Sequence, residues 1–201
     1  MVSEASDRPR LTPKGARTRA RIVKEAADLI HERGVAGTTL EDVKVAADVS
    51  GSQLYHYFPD KNDLVQAVID YQADTIVNHH RQALASANGV EAWRKMVITA
   101  AKRTKAKGGC PLGSLVGQLA ENDPEARALI AAGFDQWAAA IGDGLRSLHA
   151  DGKLPSDIDP DDLATTLLAT LEGGTLLAQA LGNARPFETA VDTLLALIVR
   201  N

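Results

Sequence analysis

Residues 50–61 read Ser-Gly-Ser-Gln-Leu-Tyr-His-Tyr-Phe-Pro-Asp-Lys. Ser50 is a good N-cap, and Pro59 disfavours helix in the residue before it, so the stretch predicts a short helix ending near Phe58. Gly51, Ser52 and Gln53 open that helix with small and polar side chains. Leu54 and Phe58, four apart, turn to one side of it. Just upstream, Asp48-Val49-Ser50 reads as a tight turn. Before the turn, Thr39 is an N-cap with Asp42 three residues on, a variant of the capping box, and the helix it starts carries Val43, Ala46 and Ala47. Further back, Ile22, Ala26, Leu29 and Ile30 recur at helical spacing from about Arg17 to Arg33, where Gly34 is placed to end the helix. Three short helices, the last two joined by a tight turn, are the pattern of a helix-turn-helix.

The residues on that pattern suit duplex DNA. Small groups at Gly51 and Ser52 permit close approach to a major groove, and Gln53 suits the edge of adenine. Tyrosine hydroxyls and a histidine N–H hold phosphates, which marks Tyr55 and His56. Lys61 adds a cation just after the turn, and Thr39 offers a hydroxyl and helix-start N–H groups. The formal charge of −4 conceals an asymmetry. Arg8, Arg10, Lys14, Arg17, Arg19, Arg21 and Lys24 occur with no acid between them, whereas Ser156–Asp162 holds four aspartates and no base. Phosphate contacts are local and distant charge is screened, so a basic arm on an acidic body is compatible with DNA. The plain alternative for the arm is a solvated tail.

Composition supports an all-helical chain. With 45% hydrophobic and 24% charged residues, 201 residues can form a real core. Alanine and leucine dominate while aromatics make up 4%, which favours helix over sheet. One cysteine forms no internal disulfide, and no apolar run approaches the roughly 18 residues of a membrane span. The N-terminus lacks a secretory apolar stretch, so a cytoplasmic protein without membrane contact is expected.

Beyond Pro59 the punctuation predicts a long helix over about 60–85, then helices over about 90–107, 110–121, 124–149 and 161–181, and a last one from Pro186. Phe187, Val191, Leu194, Leu195 and Ile198 form an amphipathic stripe on the last. Tyr71 and His80 fall on the long helix. Trp93, Cys110, Phe134 and Trp137 fall in the middle helices. Two readings stand for these six: core packing, or the lining of an apolar pocket.

Residues 38–64, Thr-Thr-Leu-Glu-Asp-Val through Tyr-His-Tyr-Phe-Pro-Asp-Lys-Asn-Asp-Leu, resemble the DNA-binding signature of the TetR family of transcriptional regulators. Gly-Cys-Pro-Leu-Gly-Ser-Leu at 109–115 also resembles the branch containing LmrA and YxaF. The resemblance implies an N-terminal three-helix helix-turn-helix domain and a C-terminal helical domain for ligand binding and dimerisation. The expected division is a basic arm over 1–16, a DNA-binding domain over 17–59 and the helical domain over 60–201. The implied DNA contacts are Arg17, Thr39, Lys44, Gly51, Ser52, Gln53, Tyr55, His56 and Lys61. Two positions depart from the family pattern: Asp48 replaces a turn glycine, and Lys44, replacing an alanine, either adds a phosphate contact or projects into solvent. The resemblance also implies a homodimer that binds a double-stranded operator and is released by a small hydrophobic or aromatic ligand. Leu167, Leu171, Gly174, Ala178, Val191, Leu194, Leu195 and Ile198 are the expected interface; packing within the monomer is the alternative.

No catalytic, metal or cofactor site is expected. His79 and His80 are adjacent, so they point about 100° apart on a helix, whereas a zinc pair needs i, i+4 spacing. Two further readings remain open: a redox sensor using an exposed Cys110 at a helix start, and a helical interaction module that does not bind DNA.

Overall fold

A computed structural model describes residues 11–86, 88–104 and 107–198. Nine helices and no strand occur among them: α1 (Pro13–Arg33), α2 (Leu40–Ala46), α3 (Gly51–Tyr57), α4 (Lys61–Leu84), α5 (Gly89–Thr104), α6 (Gly113–Leu119), α7 (Pro124–Ala150), α8 (Pro160–Leu181) and α9 (Arg185–Ile198). Of the basic arm, residues 1–10, with Arg8 and Arg10, lie outside the described residues. The chain forms two compact units that divide between Val68 and Ile69, within α4.

In the first unit, α1 starts four residues earlier than periodicity suggests. The hydroxyl of Thr12 accepts the Gly15 N–H at 3.1 Å, and Pro13 fills the first helical position. The α2–α3 turn is a Schellman motif. The Asp48 N–H donates to the Val45 carbonyl and the Val49 N–H to the Lys44 carbonyl, each at 3.2 Å. Asp48 adopts φ 47°, the left-handed conformation that aspartate tolerates and glycine favours. The Arg21 guanidinium donates to its carbonyl at 3.4 Å. Ile22, Ala26, Ile30, Val43, Leu54 and Phe58 are buried. Arg19 lies over the Phe58 ring, 5.0 Å from its centroid.

The second unit is built around one apolar cluster drawn from α4, α5, α7, α8 and α9, with Trp93, Trp137, Ile141, Leu167, Leu171 and Val191 among its members. Gly174 lets α8 and α9 approach closely, since an added Cβ there would lie 3.2 Å from Phe187 Cα. Ion pairs cross the helices at the surface. Arg94 of α5 forks onto both carboxylate oxygens of Asp192 at 2.6 and 2.8 Å, and Arg146 of α7 reaches Asp161 of α8. α7 and α8 both begin with an aspartate N-cap followed by proline, Asp123-Pro124 and Asp159-Pro160.

Candidate nucleic-acid interface and C-terminal site

α3 is a seven-residue helix, too short to be stable by propensity alone. A reciprocal capping box holds its start: the Gln53 N–H donates to Ser50 Oγ at 3.2 Å, and the Ser50 N–H donates to Gln53 Oε1 at 2.9 Å. Leu54 and Phe58 anchor its inner side, at 1% and 0% exposure. The outer side presents Ser52, Gln53, Tyr55 and His56, all exposed. Tyr55 is 57% exposed and takes no part in the core. Space beyond Gly51 is open, as an added Cβ there would meet nothing within 4 Å. Gln53 spends one lone pair of its carbonyl oxygen on the cap, and its amide nitrogen is the outward donor.

The remaining expected contacts frame this face unequally. Arg17 is exposed on α1, and Lys61 is half-buried at the first turn of α4, where Asp60 caps the Asp63 N–H at 2.9 Å. The Thr39 hydroxyl and N–H both bond Asp42 Oδ2, at 2.5 and 2.8 Å, so a phosphate at Thr39 competes with Asp42. Those bonds hold the Asp42 carboxyl below its usual range. Lys44 pairs with Glu41 at 2.5 Å rather than projecting freely.

In the second unit, His80, Trp93, Trp137 and Phe134 form one aromatic group. The Trp93 indole N–H donates to His80 Nδ1 at 2.8 Å. The His80 ring meets Trp137 edge to face with centroids 5.0 Å apart, and Phe134 stacks on Trp137 at 6.2 Å. Burial drives the His80 pKa down to about 3, so its ring is a neutral acceptor toward Trp93. The Trp137 Nε1–H is buried without a hydrogen-bond partner among the described residues. Tyr71 is half-buried on α4.

Cys110 corrects one expectation. It precedes α6 rather than starting it, and its sulfur accepts the Gly113 N–H at 3.3 Å. Burial, reinforced by the nearby Glu172, pushes the thiol pKa well up. The electropositive exposure that a redox-sensing thiolate requires is missing. Sequence reasoning passed over Glu172, whose Oε1 is buried without a hydrogen-bond partner. The signal for it was a single acid in an otherwise apolar stretch.

The expected dimer residues need a second correction. Leu167, Leu171, Gly174, Ala178, Val191, Leu195 and Ile198 are buried inside the chain and present no surface to a partner. Only Leu194 of the eight reaches the apolar groove of about 740 Å³ on α8 and α9. Its other lining residues include Thr170, Leu177, Leu181, Thr193 and Leu197. Leu177, Leu181 and Leu197 are 55%, 64% and 69% exposed and together line this one apolar surface.

A short capped helix presenting polar groups beside a Schellman turn, on a three-helix unit, defines a helix-turn-helix DNA-binding protein. Comparison with known proteins makes the class specific. Residues 22–68 match the tetR family of bacterial regulatory proteins, and residues 86–194 match the tetracyclin repressor-like C-terminal domain. The chain belongs to the TetR family: it is a DNA-binding transcriptional regulator with a C-terminal ligand-binding domain. An uncharacterised helix-turn-helix transcriptional regulator of Mycobacterium tuberculosis is 29% identical over 183 residues, covering 85% of this chain and 88% of that protein. A TetR transcriptional regulator from Chloroflexus aurantiacus superposes with a TM-score of 0.75 at 28% identity, over 94% of this chain and 100% of that one. SmeT, solved as a complex with triclosan, shares the fold with a TM-score of 0.70 at 23% identity, over 92% of this chain and 93% of that one. Among the described residues, no helix is long and apolar enough to cross a membrane.

Proposed function

We propose that the protein acts as a homodimeric, cytoplasmic repressor that leaves its operator when a small, largely hydrophobic molecule binds the second unit. The carrying observation is the exposed leucine groove of α8 and α9. Cover by the same groove of a second copy removes that surface from water and doubles the number of reading helices. One helix-turn-helix reads too few base pairs for tight specific binding, and two read paired half-sites. Arg17, Gly51, Ser52, Gln53, Tyr55, His56 and Lys61 form the DNA face: Gly51 and Ser52 permit close approach to the major groove, Gln53 reads a base, and Arg17, Tyr55, His56 and Lys61 hold the backbone. Thr39 and Lys44 join once phosphate displaces their acidic partners.

The division serving this function is an arm over 1–16, a DNA-binding domain over 17–59 and a ligand-binding and dimerisation domain over 60–201. The pocket is lined by Tyr71, His80, Trp93, Cys110, Phe134 and Trp137; the unpartnered Trp137 N–H supports this reading. Release is a population shift, and a swing from 1:99 to 99:1 needs about 5.5 kcal/mol of differential binding. α4 runs unbroken from Lys61 to Leu84 and carries residues of both units, which suits it to transmit that shift. Within the family, the 109–115 stretch supports the branch of LmrA and YxaF.

Fluorescence anisotropy on duplexes from upstream of the protein's own gene, beside a random duplex, tests the reading at low and near-physiological salt. Upstream DNA bound about 10³-fold or more tighter than random DNA upholds it. Equal, salt-sensitive binding to every duplex tried refutes it.

A further inference from the structure

Glu172 is the only ionisable residue between Asp162 and the end of α8. Its carboxylate lies against the 109–113 loop. A Cβ on Gly113 would collide with its Oε2, so a larger residue there pushes the carboxylate aside. The Cys110 thiol hydrogen-bonds the carboxyl, and two turns on, Gln179 packs on Gly109 in the same way. Leu168, one turn earlier on α8, and Cys110 are each packed against the apolar cluster. Glu172 Oε1 is buried with no hydrogen-bond partner among the described residues. Burial raises its pKa and the Cys110 thiol opposes that shift, and among the described residues no guanidinium or ammonium acts on it.

A carboxylate oxygen withdrawn from water and left unpaired is costly to keep. The missing group is an N–H donor, and a positively charged one also neutralises the carboxylate. Leu168, on the same helix face, and the Cys110 thiol suit an apolar body. Building on the reading of the second unit as ligand-binding, we propose that Glu172 is the charge-recognising group of the effector site. The effector class is a lipophilic amine, whose ammonium donates to Glu172 Oε1 and whose apolar part packs toward Leu168 and Cys110.

The test uses the full chain and two probes of matched shape, 4-phenylbutylamine and 4-phenylbutan-1-ol, titrated calorimetrically into wild type and Glu172→Gln. The amine is expected to bind wild type about tenfold or more tighter than the alcohol, the scale of one hydrogen bond to a charged group. Glu172→Gln abolishes that preference and leaves the alcohol unchanged. Gly113→Ala, whose methyl displaces the carboxylate, lowers the preference as well and serves if the first variant does not fold. The proposal is overturned if the amine binds wild type no better than the alcohol, failure of both to bind included. It is equally overturned if Glu172→Gln keeps the preference, or if bound amine leaves DNA affinity unchanged. The regulator reading fails separately, when ligand-free wild type does not distinguish operator from random duplex.

Discussion

Single residues decide whether the DNA-facing helix exists. Ser50 and Gln53 supply each other's missing hydrogen bonds at the start of α3. Ser50→Ala removes one of them, and we expect a loss of about 1 kcal/mol in urea unfolding, with weaker operator binding. Gln53 serves both the cap and the groove, so its replacement confounds the two; Ser50→Ala isolates the first. His80 makes a pH prediction. Its folded pKa of about 3 lies below the usual 6.5, so between those values the unfolded chain binds a proton that the folded chain refuses. Its contribution to stability is therefore present above about pH 6.5 and lost as pH falls toward 3. Thermal and urea melts of wild type should lose stability more steeply than His80→Gln, by up to about 1.4 kcal/mol per pH unit near pH 5. The glutamine retains an acceptor for Trp93. Capping residues such as Ser50 and Thr39 were readable from sequence because their partners stand three positions away. Glu172 was not, because its partners at Cys110 and Gly113 are some sixty residues distant and an isolated acid on a helix reads as solvent-facing.

At the scale of elements, the proposed DNA face divides its work between α3 and the first turn of α4. Lys61→Ala should lower the slope of log K against log salt by about one charge while weakening all sequences alike. Gln53→Ala should instead cost about 1–3 kcal/mol of discrimination at one base position. Anisotropy titrations on operator and single-base variants at several salt concentrations separate these outcomes. The α8 and α9 stripes show why periodicity stops short of an interface. Leu171 and Ala178 are buried on α8, while Leu177 and Leu181 are exposed. A helix apolar on more than one side carries two stripes, and sequence spacing does not say which one the chain keeps for itself. The start of α1 was missed for a different reason: Thr12 and Pro13 cap it, yet the apolar face begins only at Ile22.

For the whole molecule, the proposed pairing through the leucine groove predicts that association is a condition of specific binding. Leu177→Glu places a charge at its centre, leaves the buried stripe intact, and should yield folded monomer by light scattering with operator affinity reduced toward the random-duplex level. The all-helical class and the helix-turn-helix were legible because capping, glycine stops and proline starts are local events. The burial of Leu167 and Val191 was decided by partners far along the chain. α8 turns three sides to three neighbours: Leu171 to the core, Leu177 to the groove, Glu172 to the 109–113 loop. A rigid helix cannot rotate one side alone, so a twist that reseats Glu172 swings Leu177 through the same angle. The proposed occupancy at the loop and the proposed grip between subunits then share one axle. Reciprocity follows: by whatever factor a bound molecule loosens the pair, pairing weakens the hold on that molecule.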